Sequence, residues 1–145
     1  MMSGRTLFRP PADQHEWVLL YCRVMALFAL QGVIILAIYA VRGFDLNPDL
    51  MPPGLKLDPL HGVIHLVTGL AGAYFGFWKP AGALRFLQVF AVFYLLLAVF
   101  GSFTEIHFGM QLEAEENGLH WPLGSIAAII SFAPYLMPDR RRRDE

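Results

Sequence analysis

Four long apolar runs alternate with short polar stretches along the chain. The first covers residues 17–41 (WVLLYCRVMALFALQGVIILAIYAV) and is interrupted only by Arg23 and Gln31. About 20 helical residues cross a hydrocarbon layer of roughly 30 Å, so this run is long enough to span a bilayer. Arg23 lies near its start, from where a long side chain snorkels to the interface. The second run, residues 59–78 (PLHGVIHLVTGLAGAYFGFW), has a marked beginning. Asp58 suits an N-cap, and Pro59 suits the first helical position, where a missing N–H does no harm. Its glycines, Gly62, Gly69, Gly72 and Gly76, let another helix approach closely. The third run, about 83–104, is rich in Phe and Leu and carries Arg85 near its start. The fourth, about 118–137, places Pro122 in or just after its first turn, with Pro134 and Pro138 fraying its end.

The connections differ in character. Residues 42–58 form a loop rich in Pro and Asp, and residues 79–82 (KPAG) a tight turn that makes the second and third runs antiparallel neighbours. Residues 105–117 (EIHFGMQLEAEEN) are acidic, and the tail DRRRRDE is a charge run. The expected organisation is a cytoplasmic N-terminal segment (1–16), a four-span domain (17–137) and a basic tail (138–145). The fold class is therefore all-α, an integral membrane four-helix bundle. The chain's first fifteen residues are polar and no A-x-A site follows the first apolar run, so that run is expected to remain as a span and not to be cleaved as a signal.

Composition agrees with this picture. Of 145 residues, 56 % are hydrophobic and only 16 % charged, against about 25 % charged in ordinary soluble domains. The mean hydropathy is +0.48. The formal net charge of −1 hides a segregation. Arg5, Arg9, Lys79, Arg85 and Arg140 to Arg143 fall on one side of the predicted membrane, with Arg23 near them. Asp45, Asp49, Asp58, Glu105, Glu113, Glu115 and Glu116 fall on the other, with only Arg42 and Lys56. The positive-inside rule then puts both termini in the cytoplasm, as expected for a multi-pass protein of a bacterial inner membrane.

The second and fourth runs also resemble each other. GVIHLVTGLAGAYFGF, from Gly62, aligns with NGLHWPLGSIAAIISF, from Asn117, at an offset of 55 residues. His65 then matches His120, Gly69 matches Gly124, Ala73 matches Ala128 and Phe77 matches Phe132. Each copy follows one span and one outward loop. The expected architecture is two parallel helix-pair repeats related by an axis along the membrane normal.

The helix starts H-x-x-x-H-L-x-x-G (His61, His65, Gly69) and N-x-x-H-x-x-x-G (Asn117, His120, Gly124) resemble a bacterial family of four-span membrane proteins classed as a domain of unknown function. The likeness covers about residues 17–137. In that family Asn often follows the first His, where this chain has Gly62. The resemblance implies the four-span fold and supplies no activity.

Candidate chemistry is confined to the outer side. His61 and His65 are four apart and share a helix face. Imidazoles at that spacing chelate Zn, Cu or Fe. Glu105 and His107, after the third run, and His120, at the start of the fourth, complete a candidate metal site with Asp58 as a further carboxylate. The cofactor class this pattern admits is a transition metal, haem or a pigment metal. The plainer reading makes Asp58 and Asn117 helix caps and His65 and His120 interhelical hydrogen-bonding groups. Glu113, Glu115 and Glu116 are most simply a solvated patch, His15 an interfacial residue and Cys22 a buried apolar one. A lone cysteine rules out an internal disulfide and any CxxC motif. No phosphate-binding loop, G-x-S-x-G or H-E-x-x-H is present. The leading expectation is a non-catalytic membrane protein, an accessory subunit of a complex or a homo-oligomer, whose partners are the lipid bilayer and other membrane chains and not nucleic acid. Alternatives are a metal- or haem-binding redox or sensing protein, and a small transporter or channel subunit.

Overall fold

The computed structural model describes residues 11–45, 58–103 and 114–136. All its described regular structure is helical: α1 (Gln14–Met25), α2 (Leu27–Val41), α3 (Pro59–Ala73), α4 (Ala83–Phe103) and α5 (Ala114–Leu136). A single residue, Ala26, separates α1 from α2. Its backbone stays in the right-handed helical region, and its N–H donates to Cys22 O at 3.1 Å. The two helices therefore make one span, Gln14–Val41, of 28 residues. The fold is a four-helix bundle.

The helix ends follow from local chemistry. Asp13 caps α1 by accepting the Glu16 N–H at 2.9 Å. The Glu16 carboxylate reaches back to the Ala12 N–H at 2.7 Å, a variation on the reciprocal capping box. Asp58 caps α3 as its sequence suggests, accepting the His61 N–H at 2.9 Å, with Pro59 in the first helical position. α3 does not end cleanly. It widens into a π turn, Tyr74–Trp78, closed by Lys79 N–H donating to Tyr74 O at 2.9 Å. A short 3-10 turn, Pro80–Gly82, then leads into α4.

α5 begins at Ala114, earlier than the expected start near Gly118. Two expectations change in consequence. Asn117 and Pro122 lie inside the helix, so Asn117 is not its cap and Pro122 is beyond its first turn. The Asn117 side chain is instead engaged with α4, as described below.

Glycine allows two close helix pairings. Between the first span and α3, a methyl group on Gly32 would lie 2.5 Å from Leu66 N, and one on Gly69 would overlap the backbone of Ala29. Between α4 and α5, a methyl on Gly124 would lie 2.9 Å from Leu95 N. Side chains this small let backbones approach where no hydrophobic effect drives helices together. The two pairs join through one core: Val18, Tyr21, Cys22 and Met25 of α1, Leu87, Phe90, Ala91 and Tyr94 of α4, and Ala127 of α5. The Tyr21 hydroxyl ties the joint by donating to Leu123 O at 2.7 Å.

The outside is as apolar as the inside. Leu27, Val41, Val89, Phe103 and Ile129 are each more than 60 % exposed. Three helical segments, Gln14–Val41, Pro59–Trp78 and Pro80–Phe103, are long and apolar enough to cross a membrane. α5, of 23 residues, packs along α4 as the fourth helix.

Candidate functional site

Among the described residues, five of the six buried polar side chains gather near one end of the bundle, Ser131 being the exception. Asp58, His61, His65, Asn117 and His120 are all less than 10 % exposed. The Asp58 cap fixes the first turn of α3 and so sets where His61 and His65 emerge. Being one helical turn apart, the two imidazoles meet edge-on, with ring centroids 4.6 Å apart. His120 enters from α5, with its ring 5.8 Å from that of His61. The structure therefore brings together three of the five predicted ligands. Glu105 and His107 lie outside the described residues, as does Glu113.

Aromatic rings wall this cluster. Phe28 stacks on His65 with centroids 4.7 Å apart and planes 12° from parallel. Tyr94 meets His120 at 5.5 Å, nearly perpendicular, and stacks on Phe90 at 4.2 Å. Asn117 forms the polar floor. Its amide donates to Ala98 O at 3.2 Å and to Ser102 Oγ at 2.8 Å, while Trp121 Nε1 donates to the same hydroxyl at 3.2 Å. The Asn117 carbonyl oxygen lies 3.4 Å from His120 Nδ1, and this contact orients the imidazole.

Among the described residues, the two matching histidines make no hydrogen bond to another helix. His120 turns to Asn117 of its own helix. His65 Nδ1 is buried with no hydrogen-bond partner among the described residues, and the same holds for the Tyr94 hydroxyl. A buried polar atom left unsatisfied costs on the order of 1–3 kcal/mol, so such atoms mark places where something else is accommodated. Among the described residues, no three His, Cys, Asp or Glu side chains are grouped to hold a metal ion as they stand. The rings stack on and abut one another and their aromatic neighbours.

Sequence reasoning missed the walls of this site. Phe28 and Tyr94 sit in runs crowded with Phe, Leu and Tyr, so nothing singles them out. The Asn117, Ser102 and Trp121 network was partly visible, because Asn117 precedes His120 by three residues and so shares its face.

A four-helix bundle with three helical segments long and apolar enough to cross a bilayer fits a small helical membrane protein. More particularly, the chain belongs to the family described as "Domain of unknown function (DUF4383)", whose model matches residues 17–133. No curated protein and no solved structure matches the chain.

Proposed function

We propose that this chain is a small, non-catalytic inner-membrane protein that holds one transition-metal ion between its two helix pairs, through His61, His65 and His120. The observation that carries this reading is the trio of buried imidazoles drawn from α3 and α5, with His65 Nδ1 unsatisfied. Neutral imidazoles are good ligands for Zn, Cu, Fe and Ni, and a ligand set without thiolate suits no Fe–S cluster. Loading requires the rings to turn about χ2, a broad and inexpensive torsion. Asn117 orients His120 as a partner behind the ligand does in established metal sites. The Lys and Arg distribution supports a topology with both termini in the cytoplasm, which puts the site on the outer half of the membrane.

An internal duplication supports the same centre. The offset of 55 residues pairs Gly62, His65, Gly69, Gly72 and Gly76 with Asn117, His120, Gly124, Ala127 and Ser131, and all ten are buried. The contacts pair as well. Phe28 lies on His65 and Tyr94 against His120, while Gly69 abuts Ala29 and Gly124 abuts Leu95. Phe28 and Ala29 are thus to the first pair what Tyr94 and Leu95 are to the second. A single ion beside such an axis draws the matched pair, His65 and His120, from the two copies, with His61 as a third imidazole from the first.

The test is a titration of chelator-treated protein in detergent with Co(II), followed by its visible ligand-field bands. One equivalent should produce bands that His65→Ala and His120→Ala both remove. No bands, or bands that survive both substitutions, refute the site. A Soret band in the protein as purified would assign the iron to haem instead of a bare ion.

The accessory-subunit reading draws on a different feature, an apolar groove between α1 and α5 lined by Gln14, Trp17, Ile126, Ile129, Ile130 and Ala133, with a volume of about 430 Å³. It fits an apolar helix of another membrane subunit. Cross-linking through a photoreactive residue placed at Ile129 should capture that subunit in native membranes, and a chain that cross-links to nothing there contradicts the reading.

A further inference from the structure

At the end of the bundle opposite the histidines, the first span carries Arg23 on its outward surface. An arginine within an apolar span is expensive unless its donors and charge are met. Part of the requirement is met inside the chain. Arg23 Nε donates to Gly76 O at 2.9 Å, and the guanidinium lies 5.3 Å from the centre of the Phe77 ring. The π turn makes this possible. At the end of a helix the last carbonyls lack partners, and widening the turn over Tyr74–Trp78 redirects them. Gly76 also has no side chain to obstruct the arginine stem, and a methyl there would lie 3.0 Å from Arg23 Cγ. Arg23 is therefore the C-terminal cap of the second span, donated from the first.

The charge itself is not met. Neither a carbonyl nor an aromatic face carries a full negative charge, and among the described residues no carboxylate pairs with Arg23. The two described carboxylates nearest in sequence on α1's side, Asp13 and Glu16, are engaged with backbone N–H groups of the first turn. A guanidinium is a planar fork, and with Nε bonded to Gly76 its terminal nitrogens still offer donors. The depth suits a headgroup. Arg23 lies six residues beyond Trp17, about 9 Å along the helix, and Gly76 lies three residues before exposed Lys79. Tryptophans occupy membrane interfaces, and Trp17 and Trp78 both lie on the basic side of this level, so the long guanidinium arm reaches the interface they mark by snorkelling.

We propose that Arg23, pinned by Gly76, together with Lys79, binds the phosphodiester of an anionic phospholipid in the leaflet on the basic side of the protein. A phosphate oxygen pair accepts from the guanidinium fork, and Lys79 adds a second positive charge. Trp78 and Phe77 supply apolar surface for the glycerol and the start of the acyl chains. The site does not depend on the imidazole cluster and stands or falls separately from it.

The experiment is thermal unfolding and native mass spectrometry of the detergent-solubilised protein with added phosphatidylglycerol, phosphatidylcholine or inorganic phosphate. Phosphatidylglycerol should raise the melting temperature and remain bound, whereas phosphatidylcholine should do neither. Arg23→Gln, whose amide is still able to reach Gly76 O, should bind phosphatidylglycerol roughly tenfold more weakly. Lys79→Gln, at an exposed position outside the helix contacts, should weaken it less and guards against a folding defect in the first variant. Arg85→Gln, an exposed charge at the same end, should leave binding unchanged. The proposal is overturned if phosphatidylcholine binds equally well, if inorganic phosphate alone reproduces the stabilisation, or if Arg85→Gln weakens binding as much as the other two variants, which would mean diffuse charge and no site.

Discussion

Replacing Gly69 by alanine adds one methyl group where there is no room for it. The new carbon would overlap Ala29 N and lie 2.7 Å from both Ala29 Cα and Phe28 C. All three are backbone atoms, so no rotamer change relieves the clash, and α3 has to move away from the first span by roughly 1 Å. Overpacking of this kind costs typically 1–3 kcal/mol, and dispersion contacts fall off steeply with such a gap. Against this, alanine is the better helix former by up to about 1 kcal/mol. With the full propensity gain the net expectation is a loss of up to about 2 kcal/mol. Gly118 provides the internal standard, because it is exposed on α5 with nothing within 4 Å of the added carbon. Gly118→Ala should therefore gain up to about 1 kcal/mol from propensity alone. The propensity gain is common to both, so the two variants should differ by the overpacking cost, about 1–3 kcal/mol, in equilibrium unfolding from mixed micelles with increasing SDS fraction, followed by helical circular dichroism. Equal stabilities, or a Gly69→Ala protein more stable than the parent, would refute glycine-mediated close packing of the first helix pair.

Three further outcomes follow from the same contacts. Tyr21→Phe removes the hydroxyl that bonds Leu123 O across the joint between the pairs, and should cost about 0.5–1.5 kcal/mol in the same unfolding assay; no change would mean the bond contributes nothing. Asn117→Ala removes the amide that holds Ala98 O and Ser102 Oγ, and should cost about 2 kcal/mol while lowering metal affinity through the disoriented His120; a variant of unchanged stability would contradict the polar floor. Cys22 is fully buried in the core, so a maleimide should fail to label it in mild detergent and label it stoichiometrically in SDS. Fast labelling of the folded protein would contradict the α1 packing.

Where the sequence was informative, the reason was local. Asp58 and Pro59 mark the start of α3 because capping and proline geometry act within one turn, and the apolar runs mark the spans because the length needed is set by the bilayer. The KPAG turn carries its own chemistry and appears as the 3-10 turn before α4. The remainder depended on partners distant in sequence. Nothing near Ala26 announces a change of helix, and the π turn at Tyr74–Trp78 became intelligible only once Arg23 was seen bonding Gly76 O. Asn117 looked like a cap at the start of the fourth apolar run, yet α5 continues back to Ala114, and the amide is drawn to α4 by Ser102. At the candidate site, spacing and the repeat placed His61, His65 and His120 together. The aromatic walls of Phe28 and Tyr94 were hidden among similar residues, and only packing distinguishes them.

The most direct test of the imidazole centre is elemental analysis of the wild-type protein and His65→Ala, purified side by side in detergent at known concentration. A metal-binding centre predicts close to one transition-metal ion per wild-type chain, lost in the variant while helical content is kept. Metal absent from both samples, or present equally in both, contradicts it and leaves the three histidines as buried packing groups.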